Sequence, residues 1–193
     1  LGGLQLPEGA EYAVNLLYKD YSTDYNKLDM SALLGSVDAA KSLKPDIILV
    51  MLHWGSEATL EPTKTQESIA KQLFERGADA IIGSHSHLVG RMETMDITTD
   101  DGKEKTCFVA YSLGNFLSHQ KEMINLLGGM ASVTIVKDKD GARVEEYELK
   151  PTINVILRDP ASGWYDYRPM LLEDYTPELA AQNRFTDCTV EAM

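Results

Sequence analysis

The sequence predicts an α/β protein with a mixed sheet, parallel in its first part and antiparallel where hairpin strands follow. Two patterns carry that prediction. Aliphatic runs at 46–52 and 79–82 are separated by an amphipathic stretch at 63–76, and the order strand, helix, strand implies parallel neighbours joined by right-handed crossovers. Further on, alternating residues at 131–136 and 143–149 flank Lys137-Asp-Lys-Asp-Gly141, the pattern of a hairpin.

In chain order, the apolar run 12–18 reads as a strand and the polar, tyrosine-rich 19–27 as a loop. Over 29–43, Leu33, Leu34, Val37, Ala40 and Leu43 recur near helical spacing, with Asp29 or Ser31 as cap and Pro45 just beyond the end. The near-continuous aliphatic run 46–52 has the pattern of a strand covered on both faces, and His53-Trp-Gly-Ser-Glu57 is its exit loop. The second helix has both ends signalled. Thr63 and Gln66 have capping-box spacing, Ile69, Ala70, Leu73 and Phe74 form one stripe, and Arg76 and Gly77 close it. The short strand 79–82 runs into Gly83, where the chain can turn sharply. A strand at 106–111, a tight loop through 112–116, a glycine-rich approach at 127–130, the hairpin and one more strand at 152–157 follow. From Asp159 the chain reads as irregular, with a short helix over 177–183, so the division expected is a body of 1–158 and a tail of 159–193.

Three of the four histidines fall at the carboxyl ends of two of these strands: His53 after the first, and His85 and His87 in Gly83-Ser-His-Ser-His87 after the second. That is where open α/β sheets bind ligands, and neutral imidazole is the commonest ligand for zinc-like divalent metals. Such a trio could form a mononuclear centre with an open position. A dinuclear centre needs bridging carboxylates, and Glu57 is the nearest candidate; it is either a general acid or base or a solvent-facing loop residue. Asn115 either ligates or hydrogen-bonds a substrate oxygen, or serves the turn. Trp54 walls the crevice or packs on it, and His119 is a surface or substrate-side residue.

With 18 basic against 30 acidic residues, the net charge is −12. That surface repels phosphate backbones and anionic membranes, which argues against a nucleic-acid partner. Cys107 and Cys188 are too few for a disulfide framework; they are either one bridge or two unrelated thiols. No apolar run reaches membrane-span length. The start at Leu1-Gly-Gly, without methionine, suggests an excised or processed piece.

His53-Trp-Gly-Ser-Glu57, then Gly77-Ala-Asp79 through Ile82-Gly-Ser-His-Ser-His87, then Tyr111-Ser-Leu-Gly-Asn-Phe116 resemble, in order and spacing, the CapA family of bacterial capsule synthesis proteins. The resemblance runs from about Pro45 to Phe116. It implies association with poly-gamma-glutamate production and a four-layer calcineurin-like metallophosphoesterase fold, of which this chain resembles the carboxyl-terminal half. It implies two divalent metal ions in the full domain, with manganese, iron and zinc all compatible, His53 and His85 holding one and His87 the other. The family's usual proline before the last histidine is Ser86 here. The aspartates and further ligands of the family's amino-terminal half are not in this chain, so that half is the first partner implied. Alone, the piece would leave an open sheet edge and an incomplete metal site. An acidic polymer or other capsule synthesis proteins are further partners. The location implied is the extracellular side of the cell envelope, anchored through a segment outside this chain. The activity expected is metal-dependent hydrolysis of an envelope polymer or phosphate-bearing intermediate, with Glu57 and Asn115 as catalytic candidates. The alternative is a non-catalytic accessory protein in polymer assembly or export.

Overall fold

A computed structural model describes Leu17, residues 28–139 and residues 141–193. The expected strand at 12–18, apart from Leu17, and the expected loop at 19–27 lie outside the described residues. Helix α1 spans Ser31–Ser42. The Asp29 carboxylate accepts from the Ser31 backbone N–H at 2.9 Å, just ahead of its first turn. Strand β1 (Leu49–His53) leads to helix α2 (Lys64–Arg76). There the capping box is formed as the spacing predicts: the Thr63 hydroxyl accepts from Gln66 N–H, and the Gln66 side chain accepts from Thr63 N–H. Strand β2 (Ala80–Ser84) follows, then β3 (Met92–Thr98) and β4 (Glu104–Ala110).

These four strands form one mixed sheet in the order β1-β2-β4-β3, with β1, β2 and β4 parallel and β3 antiparallel to β4. The hairpin expected to continue this sheet instead belongs to a second one. Strands β5 (Leu127–Asp138), β6 (Gly141–Arg158) and β7 (Tyr165–Leu171) pair antiparallel in the order β5-β6-β7. The strand expected at 152–157 is the continuation of β6. Pro151 sits just before Thr152, where pairing with β7 begins, so its missing N–H falls where β6 has β5 alone beside it. The chain after Asp159 is less irregular than its composition suggests: it supplies β7, a 3-10 turn at Leu172–Asp174 and a short helix α3, Pro177–Ala180.

Three apolar clusters hold the layers. One lies between the helices and the first sheet, centred on Val37, Leu73, Phe74, Ile81 and Val109. A second joins the sheets, with Ala80, Phe108 and Ala110 against Val144. The third packs Ile153, Val155 and Ile156 against Tyr175 and Cys188 of the carboxyl-terminal segment. Cys107 and Cys188 are both buried free thiols, one in the first cluster and one in the third. Strand β1 departs from the expectation of two covered faces. Val50 and Leu52 pack on the first cluster, whereas Leu49 and Met51, on the opposite face of this strand at the edge of the described sheet, are 54% and 76% exposed. Below β2, the Asp79 carboxylate accepts from Ile48 N–H at 2.7 Å and Lys105 Nζ at 2.8 Å. It thereby ties the entries of the three parallel strands together, at the end opposite the histidines.

Candidate functional site

The pairing register sets His53 directly opposite Ser84, so the exits of β1 and β2 leave the sheet side by side. Two close approaches keep that corner tight. A Cβ on Gly83 would lie 2.1 Å from Tyr111 O and 2.4 Å from Trp54 Nε1, the two groups that form a buried 3.0 Å hydrogen bond there. Trp54 is buried and stacked on Tyr111, so it packs under the crevice rather than lining it. A Cβ on Gly128 would lie 2.2 Å from Asn115 O; glycine there lets β5 run directly beside the Asn115 loop. The two exit loops are joined by Ala58 N–H donating to Ser86 O at 2.9 Å.

The structure gathers His53, His85, His87 and Asn115 in one crevice. His85 Nδ1 is 3.0 Å from His53 Nε2, and the rings lie 4.6 Å apart between centroids. The His87 ring is 6.4 Å from that of His85, and its Nδ1 is 2.8 Å from Asn115 Oδ1. Both amide protons of Asn115 are already committed, to Gln120 Oε1 and to Asn125 O, each at 2.9 Å. Asn115 Oδ1 is therefore the acceptor, His87 Nδ1–H donates, and the lone pair of His87 lies on Nε2. Ser84 Oγ lies 3.2 Å from His53 Nδ1 and 3.4 Å from the Leu52 carbonyl. With the hydroxyl proton on Leu52 O, His53 Nδ1–H donates to Oγ and the His53 lone pair points at His85 from Nε2. Burial first, then the neighbouring His53 ring, lower the His85 pKa, while the Glu57 carboxylate opposes them. His85 thus favours the neutral form that ligates metals.

Two of these histidines hold backbones that residues with a Cβ seldom adopt: His85 has φ 121° and His87 φ 63°. Such conformations cost about 1–3 kcal/mol each and persist where the surroundings impose them, often at functional sites. Nothing in the sequence pattern announced this strain.

In donor chemistry the crevice suits a divalent cation: neutral imidazoles with assigned tautomers, held from rigid strand ends. In number it is incomplete. Among the described residues no three His, Cys, Asp or Glu side chains group into a metal-holding cluster; the trio divides into the His53–His85 pair and a separate His87 held by Asn115. Glu57 is exposed on the exit loop and reaches His85 through its charge alone. His119 stands apart from the crevice, its Nε2 accepting from Arg184 Nη1 at 2.9 Å.

An α/β domain with histidines at adjacent strand ends is the class that fold and crevice define. Comparison with known proteins makes it specific. Residues 7–120 match the family described as bacterial capsule synthesis protein PGA_cap, and the chain belongs to that family. It is 27% identical over 154 residues to the capsule biosynthesis protein CapA of Bacillus anthracis, covering 78% of this chain and 30% of that protein. It is 35% identical over 75 residues to the PGA biosynthesis protein CapA of Bacillus subtilis, covering 39% of this chain and 17% of that one. The chain thus matches less than a third of either relative's length.

Proposed function

We propose that this chain is the histidine-bearing half of a metal-dependent hydrolase in capsule or poly-gamma-glutamate biosynthesis, built on a calcineurin-like fold and acting on an envelope polymer or phosphate-bearing intermediate. The observation that carries the reading is the division of the imidazoles: His53 and His85 as a close pair, His87 separately oriented by Asn115. That division is in keeping with two divalent ions, manganese, iron or zinc by kind, one held by the pair and one by His87. Bound there, such ions would supply Lewis-acid stabilisation of developing negative charge. Asn115 fixes the His87 tautomer, and with both its amide protons committed to Gln120 and Asn125 its part is to orient His87 rather than to bind a substrate oxygen. Glu57 stands on the exit loop where a general acid or base would meet solvent-borne substrate.

The missing anionic ligands would come from the family's amino-terminal half. The exposed Leu49 and Met51 face of β1 supports this, because an apolar sheet face beside an edge that has no partner among the described residues is what such a half would cover. Anchorage at the extracellular side of the envelope would reside in that half as well; among the described residues no helix is long and apolar enough to cross a membrane.

A second reading, a non-catalytic accessory protein in polymer assembly or export, draws on the weak acid–base complement: Glu57, exposed on its loop, is the carboxylate close in sequence to the strand-end histidines. Elemental analysis of protein carrying the upstream half, purified without chelator, separates the two when paired with His85→Ala. Bound divalent metal and phosphodiester or peptide turnover, both lost in a folded His85→Ala variant, support the hydrolase. Absence of divalent metal from the parent protein overturns it.

A further inference from the structure

The carboxyl-terminal segment carries a second cluster that the crevice does not use. Of the six arginines in the chain, Arg76, Arg91, Arg143 and Arg168 all sit in ion pairs with carboxylates. Arg158 and Arg184 have no carboxylate partner among the described residues, and both stand at Tyr165. Arg184 lies over the Tyr165 ring, 4.4 Å from its centroid, and Arg158 is directly opposite Tyr165 in the β6–β7 register. In a chain with net charge −12, two cations left unpaired at one place stand out against an excess of available acids.

The acid nearest in sequence is turned away. The Asp159 carboxylate is engaged by the Ser162 hydroxyl and the N–H groups of Ala161 and Ser162, and the Ser162 hydroxyl heads the causes that lower its pKa. Rings complete the surroundings: His119 accepts from Arg184 and meets Tyr167 edge-on at 5.6 Å, and Trp164, just before Tyr165, is 78% exposed. The side chains of Asn115 and Gln120 hydrogen-bond across the loop between them, so His119 belongs to the loop that orients His87.

We propose that Arg158 and Arg184, with Tyr165 and Trp164, form a docking site for a carboxylate-rich, peptide-like chain, distinct from the histidine crevice and joined to it by the 115–120 loop. Guanidinium forks match planar carboxylates in two-pronged hydrogen bonds, and the flanking rings offer apolar walls to the methylene groups between successive carboxylates. A small, fully hydrated anion would gain nothing from those walls. The inference deepens the proposed hydrolase by naming where its polymer is held, and it rests on that reading only for biological meaning.

The test is a titration of the full chain with a blocked hexa-glutamate peptide, read by Trp164 fluorescence and calorimetry, against inorganic phosphate at equal ionic strength. Saturable peptide binding is expected, weakened at least tenfold by Arg158→Gln with Arg184→Gln and unchanged in His85→Ala. Peptide affinity equal to that of the double variant, or phosphate binding as tight as the peptide, overturns the proposal. Arg184 also anchors the carboxyl-terminal segment, so Arg158→Gln alone, at an exposed side chain, provides the arm that keeps the fold; a measurable loss there is required. Binding unaffected by His85→Ala in a protein without bound metal would leave this site standing while the hydrolase reading falls.

Discussion

His85 and His87 carry their strain because of what they reach, not because of where the chain must turn. Glycine takes φ 121° and φ 63° without a Cβ penalty. Strands of the parallel sheet could therefore end in glycines here and the fold would gain. His85→Gly is expected to keep the fold and raise the thermal midpoint, by the equivalent of about 1 kcal/mol after the extra unfolded-state entropy of glycine is offset. The same substitution removes the 3.0 Å contact with His53. A calorimetric scan checks it: a lowered midpoint would mean the His85 side chain contributes more through packing than its backbone costs. The sequence placed all three histidines at strand ends, and in one crevice they are. What it could not contain is the tautomer logic of His87, which depends on Gln120 and the Asn125 carbonyl closing on Asn115 across a loop.

At the scale of elements, legibility followed locality. Helix α2 was readable to its ends because Thr63, Gln66 and Gly77 act within a turn of their own positions. Strand β3 is the exception: Met92-Glu-Thr-Met-Asp-Ile-Thr98 alternates and its hairpin with β4 closes over Asp101-Gly102, a turn signal with Gly102 at φ 80°, yet the strand was not anticipated. Strand β7 carries Pro169, has no buried residue to mark a core face, and becomes a strand only through its partner β6. The aliphatic run of β1 predicted two buried faces, but composition cannot say whether the covering layer lies within the same stretch of chain. Between elements, Gly83 decides how closely β2 and β4 approach. Its absent Cβ leaves room for the Trp54 Nε1 to Tyr111 O hydrogen bond. Gly83→Ala is expected to cost about 2–3 kcal/mol, the upper range for overpacking a tight core, and to release Trp54. Urea unfolding followed by tryptophan emission measures both. An unchanged midpoint would show that the strands spread at no cost, contrary to the packing.

Across the whole molecule, the question is whether the two sheets are one cooperative unit, and the two cysteines answer it because each sits in a different cluster. Cys107 is fully buried with its Sγ 3.6 Å from Ala78 O, and Cys188 is 1% exposed among residues of the third cluster. Burial pushes each thiol up to about 11. At pH 8 roughly one thiol in a thousand is then ionised in the folded state, and the thiolate is the reactive form. Neither cysteine is expected to react with a disulfide reagent until the protein unfolds. The sheets are joined by Ala80, Phe108 and Ala110 against Val144, with the Phe108 and Tyr147 rings 4.7 Å apart. That shared layer predicts a single urea midpoint for exposure of both thiols, resolved by mass spectrometry of the labelled peptides. The raised thiol values also fix a pH dependence. A group held protonated by the fold stabilises fully below its unfolded value, near 8.5, and loses that contribution as pH rises towards 11. The common midpoint is therefore expected to fall above about pH 9, and to fall less steeply in Cys107→Ala. Two midpoints, with Cys188 exposed first, would instead make the carboxyl-terminal layer a separate unit, held to the first sheet too weakly to unfold with it.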